Sequence, residues 1–132
     1  MNLSKGATVA VADGEKLRLF QNTGDEAALS LAPISAGEVG DDNKGSGHQS
    51  SSANPDDSQV QEDNFAAGVT EILNRRVLEG GLRSLVVIAA PRTLGEMRKH
   101  YHPKLVDVLM AEISKDLTGH PVADIASAVA SA

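Results

Sequence analysis

A glycine- and serine-rich segment carries the residue types closest to catalytic chemistry. It contains Gly45, Gly47, His48 and Gln49, followed by a run of serines. Glycines let a backbone approach a ligand closely, and an imidazole beside a hydroxyl is the pair from which a base-activated nucleophile is built. The sequence offers no third residue that would orient His48. It therefore predicts a solvated linker or binding loop rather than a catalytic centre.

Three basic residues follow the most apolar stretch of the chain, residues 85–90. They are Arg92, Arg98 and Lys99. Ligands of open α/β sheets bind outside the carboxyl ends of the strands, and an arginine beside a helix N-terminus suits an anion such as phosphate. These residues form a candidate basic face, and a solvated surface is the plainer interpretation of the same pattern.

Two histidines, His100 and His102, stand two residues apart. On a strand they would share a face and could clamp a metal ion, whereas near a helix C-terminus the dipole favours histidine in a capping role. The capping interpretation is favoured, and we predict no metal site and no cofactor. Asp13, which precedes Gly14, is expected to form a turn. Without cysteine the chain has no disulfide and no thiolate nucleophile.

The charge of the chain is unevenly distributed. Its 132 residues carry a formal net charge of -6, and 41% are hydrophobic, which fits one globular domain over residues 1–132. Residues 36–64 hold seven acids and one base, whereas residues 75–115 hold eight bases and four acids. The acidic balance disfavours binding to free DNA. No apolar run approaches the ~20 residues of a membrane helix, so we expect a cytoplasmic protein without membrane contact.

The first third of the chain has the pattern of three strands. Residues 7–12 are small, apolar and β-branched, and they end at an Asp-Gly turn signal. Residues 16–21 place Leu17 and Leu19 on one face, and residues 29–33 alternate again after a polar turn. These spacings predict a three-stranded antiparallel meander.

A polar, acidic segment follows, at about residues 37–61. Glycine, serine, aspartate, asparagine and glutamine dominate it, so it cannot bury enough apolar area to offset an ordering entropy of ~1–2 kcal/mol per residue. We predict a long flexible loop. Asp63 or Asn64 is then expected to cap an amphipathic helix that begins near Phe65 and ends at Gly80-Gly81.

The rest of the sequence predicts alternating strands and helices. Residues 85–90 are apolar on both faces, as in a central strand covered on each side. Thr93 and Glu96 have the spacing of a capping box for a helix that runs to about Tyr101. Residues 105–115 fit a helix or a strand equally well. A short amphipathic helix follows Pro121, and the resulting fold class is a small α/β domain with a mixed sheet.

The chain resembles a known bacterial family over almost its whole length. Its most specific motifs are Ala90-Pro91-Arg92-Thr93-Leu94-Gly95-Glu96-Met97-Arg98 and Lys115-Asp116-Leu117-Thr118, preceded by Val9-Ala10-Val11-Ala12-Asp13-Gly14. These resemble the bacterial host attachment protein family, which is similar to the middle domain of archaeal and eukaryotic peptide-chain release factors. The resemblance implies a ribonuclease H-like topology of about five strands, β-β-β-α-β-α-β-α. It also implies a strand over residues 107–115.

The same resemblance bears on function. Release factors carry Gly-Gly-Gln in the loop before the long helix, and the corresponding residues here are Gly47, His48 and Gln49. The surrounding acidic charge would be repelled by ribosomal RNA, so peptide release itself is not expected. We predict a non-enzymatic binding protein of the translation machinery or ribosome. The alternative is a hydrolase or nuclease-like enzyme using His48 or Asp13, which would need several acids converging on Mg²⁺. The oligomeric state is left open.

Overall fold

The described residues form a mixed α/β fold built on an open five-stranded sheet. The computed structural model describes residues 2–35 and 57–132. Within them the elements are, in chain order, β1 (Thr8–Ala12), β2 (Leu17–Asn22), β3 (Leu31–Ile34), α1 (Asp57–Leu78), β4 (Leu85–Ala89), α2 (Pro91–Arg98), α3 (Pro103–Val108), β5 (Leu109–Ser114) and α4 (Val122–Ser131). The sheet order is β3-β2-β1-β4-β5.

The predicted meander is confirmed. β1 pairs with β2 and β2 with β3, both antiparallel, so that Val9 faces Phe20 and Phe20 faces Pro33. β4 lies parallel to β1 and to β5, with Thr8 opposite Leu85. Strands β1, β4 and β5 therefore run in one direction and their C-termini meet at one edge of the sheet, which we call the carboxyl edge. The ribonuclease H-like name for this topology stays a prediction.

Both faces of the central strands are buried, as the apolar run at residues 85–90 predicts. On one face Leu85 and Val87 pack in a cluster with Leu73 of α1. On the other face Val86 and Ile88 belong to a second cluster with Ile125 of α4. All five residues of β4 are buried. A two-sided aliphatic core with few aromatic side chains thus holds the strand termini in place.

Helix α1 starts six residues earlier than the predicted cap at Asp63. It begins at Asp57, so the last residues of the predicted loop at 37–61 are helical. The first turns of α1 are polar, so no apolar periodicity in the sequence predicts them. One hydrogen bond within these turns joins the Gln59 side chain, as donor, to Asp63 Oδ1 at 3.2 Å. Residues 36–56 lie outside the described part. The predicted stop is confirmed, since Gly80 has a φ of 82°.

The capping box predicted at Thr93 is wrong. Ala90 is the N-cap residue and makes no side-chain bond, and Pro91 is the first residue of α2. Proline's fixed φ suits that position, so Thr93 lies inside the first turn, where it is buried. The helix ends at Arg98 rather than near Tyr101.

The ambiguous segment at residues 105–115 contains both a helix and a strand. Helix α3 is missing from the predicted order and occupies Pro103–Val108, and β5 follows at once from Leu109. The predicted strand at residues 107–115 exists but begins two residues later. Its pairing with β4 shifts register beside Leu85, which accommodates one extra residue. In the described part of the chain, no helix is long and apolar enough to cross a membrane.

Candidate functional site

Asp13 stands at the carboxyl edge, immediately after β1, and forms the turn that the sequence predicts. Its Oδ1 accepts hydrogen bonds from the backbone N–H groups of Glu15, at 2.7 Å, and Lys16, at 2.6 Å. Its Oδ2 accepts a hydrogen bond from the Thr118 hydroxyl at 2.6 Å. Partial burial opposes ionisation, but these hydrogen bonds outweigh it and lower the pKa of Asp13. Both oxygens of this carboxylate are therefore engaged in structural bonds.

The segment after β5 closes over the same edge. The Thr118 hydroxyl also lies 3.1 Å from Asp116 Oδ1. Arg18 of β2 donates to the carbonyl oxygens of Thr118 at 3.0 Å and His120 at 2.8 Å. Its guanidinium stacks on Phe20, 5.0 Å from the ring centroid. Two motifs that carry the family resemblance, one ending at Asp13-Gly14 and the other at Thr118, thus meet in space.

Helix α1 reaches the carboxyl edge at Gly14 and Arg92. A Cβ at Gly14 would lie 2.6 Å from Glu62 Cγ, so the absence of a side chain permits this approach. On the next residue of α1, Asp63 Oδ2 lies 3.5 Å from Arg92 Nη2. The five residues of α1 before Glu62 therefore extend past the edge of the sheet. Over residues 2–35 and 57–132, no three His, Asp or Glu side chains converge as metal ligands.

Each member of the predicted basic face has a carboxylate partner. Besides the Arg92–Asp63 pair, Arg98 donates twice to Glu112 Oε1, at 3.0 and 2.7 Å, and Lys99 contacts Glu96 at 3.1 Å. The three basic side chains are 62%, 55% and 69% exposed. Arg92 and Lys99 stand two turns apart on one side of α2, whereas Arg98 turns about 100° away, toward β5.

Glu112 is the most heavily bonded of these carboxylates. Besides Arg98, it accepts a hydrogen bond from the Tyr101 hydroxyl at 2.8 Å. The bonds from Arg98 lower the pKa of Glu112, against the opposing effect of partial burial. Burial and the neighbouring Glu112 carboxylate raise the pKa of Tyr101. Arg98 thus ties α2 to β5, which sequence reasoning missed because the partners belong to different elements.

The two histidines make separate structural contacts. His100 Nε2 lies 3.3 Å from Glu96 Oε2 at the end of α2, and His102 Nδ1 accepts the Lys104 backbone N–H and caps α3. Asn74 of α1 donates to the His100 carbonyl and accepts the His102 backbone N–H. His100 therefore stands near a helix C-terminus, as the capping interpretation expects, whereas His102 caps the N-terminus of the next helix. The candidate loop residues Gly45, Gly47, His48 and Gln49 lie outside the described residues.

Comparison with known protein families identifies the family of this chain. The family model described as bacterial archaeo-eukaryotic release factor family 12 matches residues 6–129, which is almost the whole chain. No curated protein matches the sequence. The predicted release-factor resemblance is confirmed, while the host-attachment name stays a prediction. The chain therefore belongs to bacterial archaeo-eukaryotic release factor family 12, a membership that suggests a role related to translation.

Proposed function

We propose that this protein is a non-enzymatic binding protein of the translation machinery and that its partner is the bacterial ribosome. The observation that carries the proposal is the family match over residues 6–129. A ribosomal partner would place its action in the cytoplasm. The host-attachment name would then describe an indirect consequence of this action.

The proposed contact runs from Arg92 at the carboxyl edge along α2 to Lys99, two turns away. Exposed ion pairs contribute little to stability, about 0–1 kcal/mol, so Arg92 and Lys99 can exchange a carboxylate partner for an RNA phosphate at low cost. Arg98 is held by two hydrogen bonds from its guanidinium to Glu112 and is less free to do so. Of the three, Arg92 and Lys99 are therefore the residues we expect to contact RNA.

The candidate loop would act beside Arg92. Helix α1, which follows residues 36–56, begins past the carboxyl edge, and Asp63 in its second turn contacts Arg92. Residues 36–56 are covalently joined to that end of α1. We propose that Gly45, Gly47, His48 and Gln49 contribute to the same contact, at the position where release factors carry Gly-Gly-Gln.

Cosedimentation with purified bacterial ribosomes tests this function. We expect the full-length protein to pellet with ribosomes at low salt and less at moderate salt, because phosphate contacts release counterions. The double variant Arg92→Glu and Lys99→Glu should pellet less, and Gln49→Ala should identify a loop contribution. Lys5→Glu, an exposed lysine outside this edge, is the control for the loss of positive charge. Absence of the wild-type protein from the pellet at both salt concentrations would refute the ribosomal partner.

A further inference from the structure

The opposite end of the domain carries an open groove that the proposed function does not use. It lies between the C-terminus of α1, the turn into β4 and helix α3, and its volume is about 490 Å³. Its apolar lining comprises Val77, Leu78, Leu82 and Val108. This volume lies within the ~300–1,000 Å³ range of binding sites in proteins.

The apolar lining is exposed for a local reason. Gly80, two residues after the end of α1, turns the chain away, and Leu78, the last helical residue, is 58% exposed. On the facing helix α3, Val108 lines the groove and is partly exposed. The groove therefore presents apolar side chains from two elements to the solvent.

Positive charge stands on the rim of the groove. Arg83 and Lys104 line it together with one acid, Asp107. The side chains of Arg83 and Lys104 are exposed, and neither forms an ion pair with any residue in the ranges 2–35 and 57–132. Arg92, Arg98 and Lys99, in contrast, all have carboxylate partners.

We propose that this groove binds a short apolar segment of another protein that also carries carboxylates. Apolar side chains of that segment would cover Leu78 and Val108, and its carboxylates would pair with Arg83 and Lys104. The apolar lining favours a peptide over a nucleic acid backbone, which has no apolar side chains to bury. Along α1, 14 residues, about 21 Å of helix, separate Asp63 at the carboxyl edge from Val77 in this groove, so the groove lies apart from the Arg92 contact. The proposal does not depend on a ribosomal partner.

Two synthetic peptides test the groove. Both carry leucines at helical spacing, with glutamates between them in one and lysines in the other. We expect the glutamate peptide to shift the backbone amide resonances of residues 77–83 and 104–108 in the full-length protein, and the lysine peptide to leave them in place. In the double variant Arg83→Glu and Lys104→Glu, the affinity for the glutamate peptide should fall about tenfold, as measured by fluorescence anisotropy. This variant should also bind the lysine peptide.

Further variants separate the apolar contribution from the charge. Leu78→Asp should lower the affinity for the glutamate peptide. If circular dichroism shows that the double charge reversal perturbs folding, Lys104→Gln provides a milder change of charge, and it too should lower this affinity. Arg92→Glu with Lys99→Glu is the matched control and should leave peptide binding unchanged.

Several outcomes would overturn the proposal. Equal binding of both peptides, or shifts confined to other residues, would remove the groove as an acidic-peptide site. If an oligouridylate displaced the glutamate peptide and shifted the same backbone amide resonances, the groove would be a nucleic acid surface instead. Shifts that depend on protein concentration without peptide would identify a second copy of the chain as the occupant. Shifts caused by deleting residues 41–54 would assign the groove to the chain's own acidic segment.

Discussion

Thr118 connects two ends of the chain through one hydroxyl group. It is 8% exposed, and its proton is donated to Asp13, 105 residues earlier. The Asp13-Gly14 pair predicts the turn, because the hydrogen bonds that form the turn are local. No spacing in the sequence predicts that Thr118 also donates to Asp13. Only the resemblance marked Thr118, and it assigned no role to that residue.

Replacing Thr118 with valine should destabilise the fold by about 1 kcal/mol. Valine keeps the shape but removes the donor to a carboxylate, and a hydrogen bond to a charged group contributes ~1.5–3 kcal/mol, less where water can replace the donor. Urea unfolding followed by circular dichroism measures the change. Thr23→Val, at an exposed threonine that donates to Ser30, is the matched control and should cost less. Equal costs at both positions would contradict the structural importance of the Asp13 contact.

Glu112 should make part of the stability depend on pH. Its pKa in the folded protein is lowered below the ordinary 4.5, chiefly by the hydrogen bonds from Arg98. A lowered pKa means that the stabilisation is present above pH 4.5 and is lost as the pH falls through the folded-state pKa. In Glu112→Gln, the free energy of unfolding should therefore fall less steeply over that acidic range. Glu26→Gln, in the exposed turn before β3, should keep the wild-type slope. If the free energy of unfolding of Glu112→Gln fell with pH as steeply as that of the wild type, the contribution of Glu112 would be refuted.

At the scale of elements, the contact of α1 with the first turn depends on a missing side chain. Gly14 does not have a positive φ, so its role is the close approach to Glu62. Gly14→Ala should destabilise the fold by roughly 1 kcal/mol, because the new methyl group would overlap Glu62 Cγ and force that side chain to move. Thermal unfolding of a double-mutant cycle with Glu62→Ala measures the coupling. The double variant should be more stable than Gly14→Ala alone, and simple additivity of the two changes would contradict the overlap.

Elements with a strong local pattern could be predicted, and those defined by distant contacts could not. Residues of β4 are apolar on both faces, which indicates a central strand wherever it lies in the sheet. The boundary between α3 and β5 falls between Val108 and Leu109, inside an apolar stretch compatible with either structure, and pairing with β4 decides it. The capping-box prediction was wrong because Pro91 fits the first helical position, so the helix begins two residues before Thr93.

At the scale of the molecule, the residues around Asp13 and Arg92 and the apolar groove lie at opposite ends of the sheet. The carboxyl edge carries Asp13, Glu62, Asp63 and Arg92, and the opposite end carries the groove with Arg83 and Lys104. The sequence shows that positive charge is concentrated between residues 75 and 115. It does not show which of these basic side chains form ion pairs. The Arg92–Asp63 and Arg98–Glu112 pairs join different elements, so the basic residues without such partners could be recognised only after the elements were placed.

The described body should remain folded without most of the acidic segment. The described residues 2–35 and 57–132 by themselves supply two core clusters, and residues 41–54 contain a single apolar residue, Ala53, and no Phe, Trp or Tyr. Because α1 begins at Asp57, a deletion of 41–54 spares the helix, whereas removal of residues 40–60 would cut into it. Shortening a loop changes its closure entropy slowly, by about 0.6 kcal/mol per doubling of length. We therefore expect the deletion variant to unfold cooperatively in urea with a midpoint close to wild type, as followed by circular dichroism. A variant lacking only residues 57–60 should lose more stability, and an unfolded 41–54 deletion would show that the segment contributes to the core.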